Sequence, residues 1–101
     1  MQNPTLTLHI EFRQIERLLP YVRNARTHSA VQIRQIAASI AEFGFNNPVL
    51  VDAEGSIIAG HGRVLAAGEL KLPQVPVIVL SHLTESQKRA FRIAEDYRPM
   101  L

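Results

Sequence analysis

The 101-residue sequence contains no cysteine, no tryptophan and no long run of apolar residues. Without cysteine the chain forms no disulfide, builds no thiolate metal site and performs no cysteine chemistry. No apolar stretch approaches the roughly 20 residues that a membrane-spanning helix needs, and the N-terminus lacks the basic and apolar segments of a signal peptide. These absences predict a cytoplasmic protein without a membrane partner.

The sequence also lacks a large excess of positive or of negative residues. Eleven lysines and arginines face nine acidic residues, which gives a net charge of +2. A surplus this small does not by itself indicate a nucleic-acid-binding protein. The length and the 47% hydrophobic content are those of one globular domain. We predict a single domain over residues 1–101, and its end just after a helix favours the N-terminal part of a longer protein.

The first third of the chain predicts a strand, a loop and a helix. Apolar and polar residues alternate over residues 5–12, which is typical of a half-buried strand. A short helical turn ending at Pro20 and a polar loop over residues 21–29 follow. Ser29 and Gln32 form a capping box, which predicts a helix that ends at Gly44 and packs on a sheet.

The middle of the chain predicts a hairpin and a second helix. Two apolar segments, residues 49–52 and 56–59, flank a turn that ends in glycine. The second helix follows Gly60 and ends at residues 71–73.

The last part of the chain predicts a strand over residues 75–80 and a final helix. Pro76 cannot donate to a strand ladder, so we expect it at a sheet edge or at the strand start. Thr84 and Gln87 form a second capping box. The inward face of the final helix is predicted as Ala90, Phe91, Ala94 and Tyr97. The order β-α-β-β-α-β-α indicates a small α+β domain with helices packed on a mixed sheet.

The candidate site is the 60–63 block, Gly60-His61-Gly62-Arg63, at the start of the second helix. Glycine lets the backbone approach a ligand closely, and helix starts carry unpaired N–H groups and partial positive charge. Arg63 adds a planar guanidinium suited to phosphate. The spacing matches neither a Walker loop nor a dinucleotide fingerprint. From spacing alone, a structural turn with a solvated Arg63 explains the block equally well.

The 60–63 block, preceded by a helix ending in glycine and an Asn-Pro strand, resembles the N-terminal domain of ParB. This resemblance, to the ParB/sulfiredoxin superfamily, covers about residues 8–98 and implies that fold. Gly60 and Arg63 match the ends of the phosphate-gripping blocks, Gly-Glu-Arg-Arg in ParB and Gly-Cys-His-Arg in sulfiredoxin. His61 stands at the sulfiredoxin cysteine position, which excludes sulfiredoxin activity. Gly62 stands where ParB has its first arginine, which removes one phosphate ligand.

Three segments together, residues 24–29, 59–63 and 83–89, are most similar to ParB-like domains associated with DNA methyltransferases in phages and mobile elements. The resemblance implies a nucleoside triphosphate as cofactor, with CTP favoured, together with Mg²⁺. It also implies DNA as a partner in partition or DNA modification, a homodimer, and a fused or adjacent methyltransferase. Sequence-specific reading of DNA is not expected from this domain alone.

The resemblance also implies the site residues. The predicted nucleotide-phosphate site comprises Gly60, His61, Gly62, Arg63, Asn24, Arg26, Thr27, His28 and Asn47. Arg26 is predicted as a second phosphate contact. Glu95 and Asp96 fall where ParB carries Glu-Asn, a pair implied in contacting nucleotide and metal. An aspartate there would repel phosphate unless magnesium bridges the two.

Three functional hypotheses stay open at this point. The leading one is a ParB-like nucleotide-phosphate-binding module that acts on or beside DNA. The second is a magnesium-dependent nuclease or nucleotide hydrolase, with His61, His28 and Asp96 as catalytic candidates and Glu95 and Asp96 as metal candidates. The third is a non-catalytic scaffold for a DNA methyltransferase. On the final helix, Lys88, Arg89 and Arg92 form a candidate DNA-contacting face, which an ordinary solvated face explains equally well.

Overall fold

A computed structural model describes residues 9–20 and 28–96 of the chain, apart from the side chains of Glu95 and Asp96. The predictions made for residues 5–8, for residues 21–27 and for Tyr97 therefore lie outside the described residues. Within the described part, no helix is both long and apolar enough to cross a membrane.

The described elements follow the predicted order. They are β1 (Ile10–Gln14), α1 (Ala30–Phe43), β2 (Val49–Val51), β3 (Ile57–Ala59), α2 (His61–Glu69), β4 (Gln74–Val79) and α3 (Glu85–Asp96), with a 3-10 turn at Ile15–Arg17 after β1. The first strand ends at Gln14, two residues later than predicted, because its pairing with β4 continues to Gln74. The predicted capping box of Ser29 and Gln32 opens α1, and Gly44 ends it at a φ of 91°.

The four strands form one mixed sheet in the order β1-β4-β2-β3. β1 runs antiparallel to β4, β2 runs parallel to β4, and β2 and β3 form the antiparallel hairpin. The hydrophobic core lies on one face of the sheet and comprises Leu18, Val49, Val51, Ile57, Ala67, Val75 and Val77. This architecture confirms the predicted small α+β domain.

The outer edge of β3 is partly occupied by the segment that follows β1. The N–H of Leu19 donates to the carbonyl of Gly55 at 2.9 Å, and the N–H of Ile57 donates to the carbonyl of Leu19 at 2.9 Å. Leu19 thus forms an isolated parallel bridge with Ser56. The chain reaches this side of the sheet through the 3-10 turn, which carries Leu18 into the core.

Pro76 does not lie at a sheet edge, so that prediction is wrong. It is the third residue of β4, which is an interior strand. The N–H of Leu80 donates to the carbonyl of Val51 at 2.8 Å, and such contacts recur every second residue along a parallel ladder. Four residues earlier on both strands, the nitrogen of Pro76 therefore faces the carbonyl of residue 47, which lies before β2 begins at Val49. The missing donor costs no ladder bond with β2, which is why an interior strand accepts proline here.

α1 packs mainly on α2 rather than directly on the sheet, contrary to the prediction. Ala37 is its one buried residue among those described. Val31 and Phe43, two members of its apolar stripe, are 54% and 68% exposed. The apolar stripe of α1 is therefore wider than the contact that the nine-residue α2 offers.

α3 also faces the domain with a side that its apolar pattern does not predict. Lys88 and Arg92 are buried at 7% and 8% exposure, whereas Phe91 is 38% exposed and Ala90 and Ala94 are exposed. The helix packs on β3. Its contact is polar, because long cationic side chains can bury their stems while their charged ends reach partners on the hairpin.

Candidate functional site

Gly60 joins β3 to α2 in a backbone conformation that favours glycine. Its φ is 108°, in the left-handed region, and it is the N-cap of α2. A Cβ at this position would lie 3.3 Å from the Cα of Val49 and 2.9 Å from a terminal nitrogen of Arg63. The turn therefore brings the backbone of the block close against β2, with no room for a side chain.

The start of α2 differs from the starts of the other two helices. In α1 and α3, the Ser29 and Thr84 side chains accept hydrogen bonds from the N–H groups of Gln32 and Gln87. Gly60 has no side chain to do the same for the first turn of α2. Because such N–H groups carry partial positive charge, this end of α2 is suited to an anion.

The ring of His28 packs over the first turn of α2. A Cβ added to Gly62 would lie 2.9 Å from both Cδ2 and Nε2 of His28, and 2.9 Å from Cδ1 of Ile36. The structure thus brings His28 to the 60–63 block, as the family resemblance implies. Asn24, Arg26 and Thr27, predicted to form the same wall, lie outside the described residues.

Arg63 is anchored to the backbone at the start of β2. One of its terminal nitrogens donates to the carbonyl of Pro48 at 3.1 Å. Arg63 and Asn47 line the same surface cavity of about 170 Å³, next to the end of α1. Asn47 is therefore near Arg63, as predicted, and the guanidinium is half-buried rather than a solvated surface group.

His61 is a buried side chain at 5% exposure, a feature that the sequence pattern does not predict. Burial, together with the nearby charges of His28 and Arg92, lowers the pKa of His61 to about 4. The imidazole is therefore neutral at neutral pH. It can exchange hydrogen bonds with a ligand, but it adds no positive charge, and its pKa is poorly matched to acid–base catalysis near pH 7.

The lowered pKa of His61 predicts a loss of stability on acidification. The unfolded chain takes up this proton near pH 6.5 and the folded chain only near pH 4. Stability is therefore complete above pH 6.5 and declines as the pH falls towards 4. We expect wild type to lose about 2 kcal/mol from this group between pH 7 and pH 5. Urea unfolding at both pH values measures it.

Replacing His61 by glutamine should remove most of this pH dependence, because no ionisable group then enters the buried position. His82→Gln, at an exposed position, serves as the control and should keep the wild-type slope. Equal slopes for wild type and His61→Gln would contradict the assignment.

Lys88 and Arg92 are not on an exposed basic face, so that part of the predicted DNA-contacting face is wrong. Lys88 Nζ donates to Asp52 Oδ2 at 3.0 Å and lies 2.7 Å from Glu85 Oε2. Arg92 Nε donates to the carbonyl of Ile57 at 3.1 Å, and a terminal nitrogen donates to Ser56 Oγ at 3.2 Å. Arg89 is exposed, and a DNA contact through it stays a prediction.

Asp52 holds this polar contact together, and sequence reasoning missed it. Its Oδ1 accepts the N–H groups of Glu54 at 3.0 Å and Ser56 at 2.9 Å, while its Oδ2 accepts from Lys88. Burial raises the pKa of Asp52, but these hydrogen bonds outweigh it and hold the pKa below its usual value. The carboxylates of Glu85 and Asp52 raise the pKa of Lys88. The sequence signal that could have identified this role is an aspartate at the start of a predicted turn, because its side chain commonly accepts the backbone N–H two residues later.

The predicted metal residues are not tested by the geometry. Glu95 and Asp96 are the last two residues of α3, and their side chains lie outside the description. Among the described residues, no group of three or more His, Asp or Glu side chains is arranged to hold a metal ion. A magnesium site at Glu95 and Asp96 therefore stays a prediction.

Comparison with known proteins places this geometry in a family. The model of the ParB N-terminal domain matches residues 5–97. The ParB-like nuclease domain-containing protein YnaK of Escherichia coli K12 is 57% identical over 82 residues, which cover 81% of this chain and 94% of YnaK.

Two solved structures show the same fold. A C-terminally truncated ParB from Caulobacter crescentus, complexed with CTP-gamma-S, has a TM-score of 0.76 and 28% identity, covering 92% of this chain and 56% of that chain. Sulfiredoxin from Arabidopsis thaliana has a TM-score of 0.68 and 19% identity, covering 82% of this chain and 96% of that chain. This chain thus spans little more than half of that ParB. It has the ParB/sulfiredoxin fold and belongs to the ParB N-terminal domain family.

Proposed function

We propose that the chain is a ParB-like module that binds a nucleotide phosphate at the start of α2 and acts on or beside DNA. The observation that carries the proposal is the buried, left-handed Gly60 at the first turn of α2. A side chain at Gly60 would collide with the backbone of β2 and with Arg63, so glycine is what lets the turn keep its N–H groups in place for a phosphate. A ParB with 28% identity to this chain was solved with CTP-gamma-S, which favours a nucleotide as the ligand.

Arg63 supplies the fixed positive charge of the proposed site. Its bond to the Pro48 carbonyl holds the guanidinium beside Gly60, where its charge adds to that of the helix start. His28, packed over Gly62, forms one wall, and Asn47 borders the cavity beside Arg63. Asn24, Arg26 and Thr27 complete the proposed set, with Arg26 as a second phosphate contact.

One feature of the block weakens its grip on phosphate compared with Gly-Glu-Arg-Arg, because Gly62 provides no guanidinium. His61, at the glutamate position of that block, is neutral at pH 7 because of its low pKa and neither repels phosphate nor adds a positive charge. Fewer cations at the site reduce both the affinity for a triphosphate and its dependence on salt. We propose CTP as the nucleotide and Glu95 and Asp96 as the residues that would bind Mg²⁺. Arg89 is proposed as a DNA contact.

A nucleotide titration of Arg63 variants tests the proposal. We expect saturable binding of CTP to wild type by isothermal calorimetry, in parallel titrations of CTP, ATP and GTP with and without Mg²⁺. Arg63→Ala should weaken binding at least about tenfold, because a charge-assisted contact to phosphate is lost. Arg63→Lys should fall between the two, since it keeps the charge but not the planar fork.

Arg34→Ala, which removes an exposed arginine from α1, is the matched control and should bind as wild type does. Thermal unfolding of each variant separates loss of binding from loss of the fold, because Arg63 also bonds to Pro48. No saturable binding by any nucleotide would contradict the proposal and favour a scaffold role beside a methyltransferase. Undiminished binding by folded Arg63→Ala would also contradict it.

The name of the Escherichia coli relative, a ParB-like nuclease domain-containing protein, favours an enzyme as the second candidate. In that case the chain would cleave DNA or hydrolyse a nucleotide with Asp96 and His28, while His61 would contribute hydrogen bonds only, because its low pKa is poorly matched to proton transfer near pH 7. Asp96→Ala separates the candidates. Turnover by wild type that disappears in Asp96→Ala, while nucleotide binding persists, would identify an enzyme. Binding without turnover by wild type would identify a module that only binds.

A further inference from the structure

β1 lies at the end of the sheet and has only one strand neighbour, β4, among the described residues. Two large apolar side chains on it are open to solvent, Ile10 at 59% and Phe12 at 62% exposure. An edge strand of this kind presents unpaired backbone N–H and C=O groups to any strand that can lie beside it. The opposite end of the sheet is β3, which leads directly into the 60–63 block.

The pairing with β4 determines which backbone groups of β1 point outwards. The N–H of Ile15 donates to the carbonyl of Pro73, so Ile15 and Pro73 are a hydrogen-bonded pair of the β1–β4 ladder. The register continues with Arg13 opposite Val75 and Glu11 opposite Val77. Hydrogen-bonded pairs alternate along an antiparallel ladder, so Arg13 and Glu11 also direct their backbone groups towards β4. The residues between them, Ile10, Phe12 and Gln14, therefore direct their N–H and C=O groups towards the open edge.

These three residues are self-complementary in one antiparallel register. A two-fold axis at Phe12 places Phe12 opposite Phe12 of a second copy and Ile10 opposite Gln14, so all three outward residues exchange hydrogen bonds. The same register places Glu11 opposite Arg13 of the second copy, twice. Moving the axis to Glu11 or to Arg13 places like charges opposite each other and leaves one outward residue of each β1 without a partner among residues 10–14 of the other copy.

We infer that β1 pairs with β1 of a second copy of this chain, antiparallel and centred on Phe12. The pairing joins the two four-stranded sheets into one continuous sheet. It brings the two exposed Phe12 rings side by side and shields part of the Ile10 side chain from water, which favours association. Each chain contains one ion pair of Glu11 and Arg13, 2.9 Å long, and in the dimer these two internal pairs are exchanged for two pairs between the chains.

The interface is short, five residues from each chain, so we expect a weak dimer. Sedimentation velocity from about 10 µM to about 1 mM covers the range of small interfaces. Glu11→Arg and Arg13→Glu should each weaken dimerisation at least about tenfold, because each sets two like-charged pairs across the interface. An equimolar mixture of the two variants should dimerise again. A dimer with one chain of each variant sets two arginines on one strand opposite two glutamates on the other.

Two exposed positions outside β1 provide matched controls with the same charge changes. Glu16→Arg and Arg34→Glu should dimerise as wild type does. Wild type that stays monomeric throughout would overturn the inference. So would Glu11→Arg dimerising like wild type, or a mixture that associates no better than its components. Nucleotide titration of Glu11→Arg keeps this result separate from the proposed function, because β1 and the 60–63 block lie at opposite ends of the sheet.

The absence of cysteine allows a direct test of the register. Phe12→Cys should form a disulfide-linked dimer on mild oxidation, because the Cα atoms of a hydrogen-bonded pair lie about 5.5 Å apart, within the range of disulfides. Ile10→Cys should not, since the two copies of Ile10 are offset by four residues, roughly 13 Å along the strands. Cross-linking of Ile10→Cys as fast as Phe12→Cys would overturn the register.

Discussion

Replacing Asp52 by alanine is expected to destabilise the domain by about 3–5 kcal/mol, the usual cost of removing one partner from a buried ion pair. The variant loses the bond from Lys88 Nζ and the two turn bonds from the N–H groups of Glu54 and Ser56. Among the described residues, Lys88 then retains only Glu85, whose side chain is 81% exposed. Urea unfolding at pH 7 measures the loss, which should lower the Tm by roughly 15–25 °C.

Asp52→Asn is the matched control, because its carbonyl oxygen can still accept the two turn N–H groups. It loses only the negative charge that faces Lys88, so we expect an intermediate loss of about 1–2 kcal/mol. Equal stability of Asp52→Ala and wild type would show that α3 and the hairpin hold together without this carboxylate. Equal losses in both variants would assign the whole effect to the charge and none to the turn.

Gly60→Ala is expected to destabilise the domain by about 2–4 kcal/mol, because a left-handed φ of 108° is strained for alanine and the new methyl group is crowded. The flexible end of Arg63, 2.9 Å from the added Cβ, can move away, whereas the Cα of Val49 at 3.3 Å is backbone and cannot. We therefore also expect the guanidinium to leave Pro48. Thermal and urea unfolding measure the destabilisation.

Two other glycines separate the causes of that loss. Gly44 has a φ of 91° and no described atom within 4 Å of an added Cβ, so Gly44→Ala reports backbone strain alone, about 1–2 kcal/mol. Gly68 lies inside α2 with no described atom within 4 Å, and Gly68→Ala should stabilise by about 0.5–1 kcal/mol. A loss of no more than about 1–2 kcal/mol in Gly60→Ala, the cost of a left-handed alanine alone, would contradict the crowding against Val49.

Helix starts were predictable from the sequence because their signals are local. A capping box needs two side chains three residues apart, and both boxes form as predicted, at Ser29 with Gln32 and at Thr84 with Gln87. The position of Pro76 was not predictable in the same way. Whether a proline costs a ladder bond depends on where the neighbouring strand begins, and that is a property of the sheet register.

The side of α3 that faces the domain was predicted wrongly for a related reason. Apolar periodicity selects Phe91 and its neighbours, but the helix is held through Lys88 and Arg92, whose partners lie 36 and 35 residues earlier in the chain. No local pattern indicates that two cations will be buried. Their bonds depend on the carboxylate of Asp52 and the carbonyl of Ile57 being brought to the same place by the hairpin.

The candidate site was predictable only in part. Its glycines and its helix start are neighbours in the sequence, so spacing alone located the 60–63 block. The contact of Arg63 with Pro48 spans 15 residues, and the burial of His61 depends on packing, so neither could be deduced from spacing. The approach of His28 to Gly62 was expected from the family resemblance and is present.

The occupation of the outer edge of β3 limits how far the sheet can grow. Leu19 bonds to Gly55 and Ile57 there, and Arg92 bonds to the carbonyl of Ile57, so a further strand would have to displace these groups. Growth at β1 alone, about a two-fold axis, uses up the open edge of both molecules at once. Association through β1 therefore stops at two molecules, and the domain is protected against the open-ended stacking of strands that produces fibrils.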